Sequence, residues 1–230
     1  MPFYDDTGVE ISGKGKNPLW SAFSIVADQL ERLVVLNVAW AIQLIPGLVA
    51  FGWTDIPAPL RAILIGYTLI AFAPATVILY GMTRAAAHGE PLYPHTALDL
   101  LKAQGVKGLT AFMPLIGGIG ALILGSSVAN TLISALCQLG LLLAFVCGNY
   151  WGTLVADRQL HNPLHLLTES VRLVWRFPAQ ALVLAGAVII ALVIGTISIG
   201  GLFLIVPVVI ALLQTQMYRS ITEKKAYGTT

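Results

Sequence analysis

The sequence predicts an all-α, polytopic membrane helix bundle: six transmembrane helices, three cytoplasmic amphipathic helices and a threefold internal repeat pattern. Three observations predict it. The 230 residues are 57% hydrophobic and only 10% charged, with a mean hydropathy of +0.82, whereas soluble domains carry roughly 25% charged residues. Six apolar runs approach the ~20 residues that a helix needs to cross hydrocarbon. The basic residues fall almost entirely on one side of those runs.

The runs are Leu33–Gly52, Leu60–Tyr80, Leu109–Gly125, Thr131–Trp151, Ala179–Ser198 and Leu202–Met217. Three links between them are short and nearly bare: 53–59, 126–130 and a tight turn near Gly200–Gly201. Of thirteen Lys and Arg, only Arg61 lies on that side. The positive-inside rule then makes the charged side cytoplasmic and places both termini there. This implies a multi-pass protein of the bacterial cytoplasmic (inner) membrane, surrounded by lipid, with no outer loop long enough to form a binding domain. The first sixteen residues are polar and mixed in charge, unlike a secretory signal, so the N-terminus is expected to be retained.

Each pair of spans follows a segment that reads as an amphipathic helix. The first segment begins KNPLW at Lys16 and the third HNPLH at His161, each with Asn and Pro suited to the N-cap and first helical positions. In the second, Thr96 and Asp99 have capping-box spacing. Their apolar stripes are Trp20, Phe23, Ile25, Val26 and Leu30; Leu98, Leu101 and Val106; and Leu164, Leu167, Val171, Val174 and Trp175. Apolar stripes flanked by basic residues suit the headgroup boundary or the flank of a bundle. The chain parses as a polar tail (1–17), one transmembrane domain (18–218, units 18–80, 94–151 and 163–218) and a C-terminal tail (219–230). The marker prolines, Pro18, Pro94 and Pro163, are 76 and 69 residues apart (94 − 18 and 163 − 94).

Two segments carry a family resemblance. Residues 31–48 hold Asn37 and Trp40 in a Leu-Asn-x-x-Trp span. Residues 73–92 hold Pro74, Ala75 and Thr76, then Arg84, Gly89 and Glu90. Over residues 31–108 the chain resembles the YesL-like family of bacterial polytopic membrane proteins, a domain of unknown function. It departs from that pattern at Ala85, where a basic residue is usual. The resemblance implies bacterial origin and, loosely, association with carbohydrate uptake.

No Walker loop, dinucleotide fingerprint, nucleophile elbow or HExxH is present, so no catalytic residues and no cofactor are expected. Of the four histidines, His161 and His165 are four apart, but a helix starting at Pro163 leaves His161 outside it, so no metal site is expected. The small net charge of +2 and scattered basic residues exclude a nucleic-acid patch. Cys137 and Cys147, ten residues apart on one helix, are separated by about 15 Å, too far for a disulfide.

The spans contain Asn37, Gln43, Thr76, Gln138, Asn149 and Gln214. Amides in lipid must find partners, so these are expected to face the bundle interior. They serve either interhelical hydrogen bonding or a polar pocket for a lipid or small uncharged solute. No charge sits at mid-span, which weighs against ion-coupled transport. Gly117, Gly118, Gly120, Gly148 and Gly152 are expected at close helix contacts. Trp20, Tyr80, Arg84, Tyr218 and Arg219 are expected to mark the membrane interface. Interior prolines, Pro74 above all, are expected to have their freed carbonyls re-satisfied, with Thr68 and Thr76 nearby. Three functions follow: a non-enzymatic accessory or scaffold subunit with a protein partner or homo-oligomer, a transporter or channel for a small uncharged solute, and, last, a lipid-acting enzyme using Asp157-Arg158 and the histidines.

Overall fold

The computed structural model describes residues 18–128, 130–158, 162–198, 201 and 204–226; for Leu19, Arg158 and residues 223–226 it describes the backbone only. The polar tail up to Asn17, His161 and most of the turn near Gly200 lie outside that range. The described residues form helices and their connecting turns, without strands. The helices described in full are, in order, α1 (Pro18–Asp28), α2 (Leu30–Ile42), α3 (Ile45–Gly52), α4 (Ala58–Ala87), α5 (Pro94–Ser126), α6 (Thr131–Gly148), α7 (Trp151–Arg158), α8 (Pro163–Arg176), α9 (Pro178–Ile197) and α10 (Val206–Ala226).

Among the described residues, four stretches are long and apolar enough to cross a membrane: α4, α5, the 27-residue run Thr131–Asp157 through α6 and α7, and α9. A fifth follows if α2 and α3, bent by 46°, count as one span. The expected first span is therefore broken rather than continuous. Pro46 lies in the first turn of α3. Its ring clashes with the carbonyl four residues back, at Ile42, where α2 ends. The expected span ends shift elsewhere as well. The helix of the second span runs on to Ala87. The second amphipathic segment and the third span form one continuous 33-residue helix, about 50 Å long at 1.5 Å per residue. The last expected span, Leu202–Met217, starts among residues outside the description. Its described helix continues to Ala226 and, being polar beyond Met217, does not meet the spanning criterion. Pro207 lies in its first turn.

Helix starts follow the chain's punctuation. Asn162 accepts a hydrogen bond from Leu164 N (3.0 Å) and Pro163 takes the first helical position. Asn130 caps α6 in the same way through Leu132 N and Ile133 N. Pro94 opens α5 behind Tyr93, which makes no side-chain cap, so the Thr96–Asp99 capping box does not form.

The core lies where α4 and α10 meet, packed round by α5, α7, α9, α2 and α1. Residues 211–218 of α10 are buried without interruption. The same buried cluster holds Leu33, Val77, Leu154, Leu166 and Leu184 from five other helices. By contrast, α6 buries no residue. The apolar stripes of α1 and α8 divide: Trp20 (68% exposed), Phe23, Leu164 and Trp175 (86%) face away from the bundle, whereas Ile25, Val26 and Val174 pack against its core, and α8 also turns Leu166, Ser170 and Leu173 inward.

Candidate functional site

A run of buried polar side chains crosses the bundle at the level of Tyr80. The Tyr80 hydroxyl donates to Gln214 Oε1, joining α4 to α10. Gln214 Nε2 donates to Asn149 Oδ1 (2.8 Å). Asn149, in the turn between α6 and α7, donates in turn to Phe145 O (3.0 Å). Gly152 makes room for this arrangement, since a Cβ there would clash with the Tyr80 ring.

Two further polar links lie nearer the opposite end of the spans. Asn37 Oδ1, fully buried, accepts Val208 N (2.9 Å), one of the first amides of α10 and thus lacking an intrahelical acceptor. Trp40 Nε1 donates to Thr76 Oγ1 (3.2 Å), and Thr76 donates to Phe72 O (2.7 Å). Neither Thr76 nor Thr68, which donates to Leu64 O (3.0 Å), reaches the Ile70 carbonyl that Pro74 leaves without its usual donor. Gln43 is half-buried and accepts from Tyr67 OH (2.9 Å) as a separate pair. Of the six residues expected in one interior cluster, Asn149 and Gln214 therefore meet, Asn37, Thr76 and Gln43 make links of their own, and Gln138 departs. Gln138 is exposed on α6.

One turn beyond Tyr80 lies a charged rim. Arg84 donates to Ala156 O (2.9 Å) and pairs with Asp157 Oδ1 at 3.2 Å. Arg219 donates to Ala87 O (2.7 Å), and His88 Nδ1 lies 2.8 Å from Arg84 O. Ala87 and Ala156 lie at the C-terminal ends of α4 and α7, where unpaired carbonyls carry partial negative charge. The two guanidiniums thus offset two helix ends and one carboxylate. With Thr153, Thr215 and Thr222 they surround a cavity of about 210 Å³. Below it, a lateral crevice of about 470 Å³ separates α3, α4 and α5 from the α6–α7 junction. Leu44, Phe72, Phe112 and Ile116 line it, with Thr76 and Tyr80 on one wall and Gly148 at its edge.

Several expected roles are corrected. Tyr80 and Tyr218 are not interfacial anchors: the Tyr80 hydroxyl is engaged inside the bundle and Tyr218 is buried. Arg84 and Arg219 sit where expected along the chain, but they cap helix ends. Gly117, Gly118, Gly120 and Gly148 face open space, since a Cβ at any of them would meet nothing within 4 Å. Of the five, only Gly152 sits at a close approach, against Tyr80; others fall at Gly108 against Val77, Gly81 against Leu100, Gly125 against Cys137 and Gly140 against Leu122. Gly108 and Gly81 carried no motif, and only the α4–α5 pairing reveals them. The Arg84–Asp157 pair spans 73 residues, and no local pattern announces it. The Trp40–Thr76 bond had a signal, because an indole N–H inside a span requires an acceptor.

Fold and site define an all-helical membrane protein whose buried polar groups tie helix to helix. No family model, curated protein or solved structure matches the chain.

Proposed function

We propose that this is a six-pass protein of the bacterial cytoplasmic membrane, with both termini cytoplasmic, acting as a non-enzymatic accessory or scaffold subunit of a larger membrane complex. The six passes in this reading are α2 with α3, α4, α5, α6 with α7, α9 and α10. The carrying observation is how the interior polar groups are used. The Tyr80–Gln214–Asn149, Asn37–Val208 and Trp40–Thr76 links each join separate elements. Such bonds fix helices against one another, and recognition is then left to the outer faces. Exposed Trp20, Phe23, Leu164 and Trp175 on α1 and α8 supply apolar surface at the charged end of the bundle. A relationship to the YesL-like family belongs to this reading: Trp40 and Thr76, which bond to each other, come from the two resembling segments.

The test is to isolate the tagged chain from its own membrane in mild detergent. Co-migration with a defined complex of other subunits, lost on stripping with harsher detergent, is the expected result. A chain that migrates with no other protein under every mild condition sinks the reading.

One observation favours a second reading, passage of a small uncharged solute: the 470 Å³ crevice with hydroxyl-bearing Thr76 and Tyr80 on its wall. Liposomes containing only this protein would then show flux above empty liposomes across a panel of polyols and sugars. Gly148→Leu, which projects into the crevice, would abolish that flux.

A further inference from the structure

We propose that the exposed face of α6 seats a second copy of this chain, paired through Gln138. The inference rests on the multi-pass reading above, because it requires α6 to lie in hydrocarbon. Gln138 is seven residues into α6, about 10 Å along the helix from Thr131. It sits in α6, the part of its spanning run that buries no residue in the single chain. Its side chain is exposed and makes no hydrogen bond among the described residues. A primary amide carries two donors and an acceptor oxygen, and lipid tails offer a partner to none of them. The other amides assigned to spans behave differently: Asn37, Gln43, Asn149 and Gln214 all reach partners. Gln138 is the exception, and it faces outward.

The surface around it is shaped for a helix. Thr131, Ala135, Gln138 and Leu142 are all exposed, and their spacing of four, three and four residues forms the seam of a left-handed helix pair. Thr131 and Ala135, small and four apart, let two backbones approach closely beside the amide. A second copy fits this seam for a specific reason. Identical chains enter a membrane in one orientation, so α6 and its mate run parallel about a twofold axis along the membrane normal. Gln138 then meets its equivalent at equal depth, and each amide donates to the other's oxygen, a self-complementary contact of the kind twofold interfaces require. A different protein would have to carry a matching polar group at that same depth.

The experiment uses full-length protein in native membranes, with Cys137→Ala and Cys147→Ala as background. Oxidative crosslinking should produce homodimers from Ala135→Cys and Leu142→Cys, on the seam, and not from Leu136→Cys, off it. In nanodiscs, Gln138→Leu should weaken self-association by roughly 3- to 30-fold, the range for one interhelical polar contact. It should leave the thermal transition of the monomer unchanged, since Gln138 bonds to nothing in its own chain. The proposal is overturned if seam cysteines fail to crosslink in folded protein, if Leu136→Cys crosslinks instead, or if Gln138→Leu leaves the dimer intact. Seam crosslinks to a different polypeptide also overturn it, while leaving the accessory-subunit reading standing. A Gln138-dependent dimer that joins no larger complex supports it and removes that reading instead.

Discussion

Gly152 has no side chain, and the Tyr80 ring occupies the space one would fill. That space lets the Tyr80 hydroxyl reach Gln214 and start the hydrogen-bond run through Asn149. Gly152→Ala should therefore displace the ring and cost about 1–3 kcal/mol, the usual penalty for overpacking, read as a lower thermal midpoint in detergent. Gly148→Ala, four residues earlier and facing open space, should keep or raise the midpoint, since Ala is the better helix former, so the pair separates steric cost from helix propensity. Two tyrosines give a second contrast. The Tyr150 hydroxyl is buried without a hydrogen-bond partner among the described residues, whereas that of Tyr80 is bonded. Deleting an orphaned hydroxyl removes a desolvation cost, while deleting a bonded one strands its partner. Tyr150→Phe should match or exceed wild-type stability, and Tyr80→Phe should lose about 0.5–1.5 kcal/mol; equal losses in the two variants would refute the assignment.

Two asparagines cap helices, and burial separates them at the scale of the element. Asn162 caps α8 at an exposed position, so Asn162→Ala should cost about 1 kcal/mol, the ordinary price of a lost N-cap. Asn37 caps α10 from another helix, 171 residues away in sequence, at a site with no exposure. Asn37→Ala should cost up to about 3 kcal/mol, because it opens a cavity and leaves the Val208 N–H without its acceptor. Thermal unfolding of both variants in one detergent checks the order, and a larger loss for Asn162→Ala would contradict it. The same pair marks what the chain discloses about its elements. The start of α8 was legible because Asn162-Pro163 is a local cap followed by a fixed φ. Asn37 could be recognised as a span amide needing a partner, but the partner itself, an amide at the start of α10, depends on how distant helices pack. A continuous first span was expected because residues 33–52 form one apolar run, although the local cause of the break, Pro46, lies inside that run.

At the scale of the whole molecule, the helical class and most of the apolar runs could be read from composition and run length, since these depend only on what hydrocarbon accepts. The charged rim could not. Arg84 and Arg219 were visible as basic residues at the ends of spans, but their targets, Ala156 O and Ala87 O, come from other helices brought there by packing. The same distinction explains why Gln138 was assigned to the interior. Polarity alone says that an amide needs a partner, and it does not say on which side of the helix the partner lies. Topology is the remaining property that composition predicts and that can be measured directly. On a background with Cys137→Ala and Cys147→Ala, four single cysteines at exposed positions test it. Thr54→Cys and Ser127→Cys lie in the bare links, and Glu90→Cys and Thr168→Cys lie on the side rich in Lys and Arg. If basic residues hold their side cytoplasmic, a membrane-impermeant maleimide should label Thr54→Cys and Ser127→Cys in intact spheroplasts, and the other two only after permeabilisation. The spans between Thr54 and Glu90 and between Ser127 and Thr168 must each cross once for that pattern to hold. Labelling of Glu90→Cys in intact spheroplasts would invert the orientation, and labelling of Thr54→Cys without Ser127→Cys would break the six-pass count.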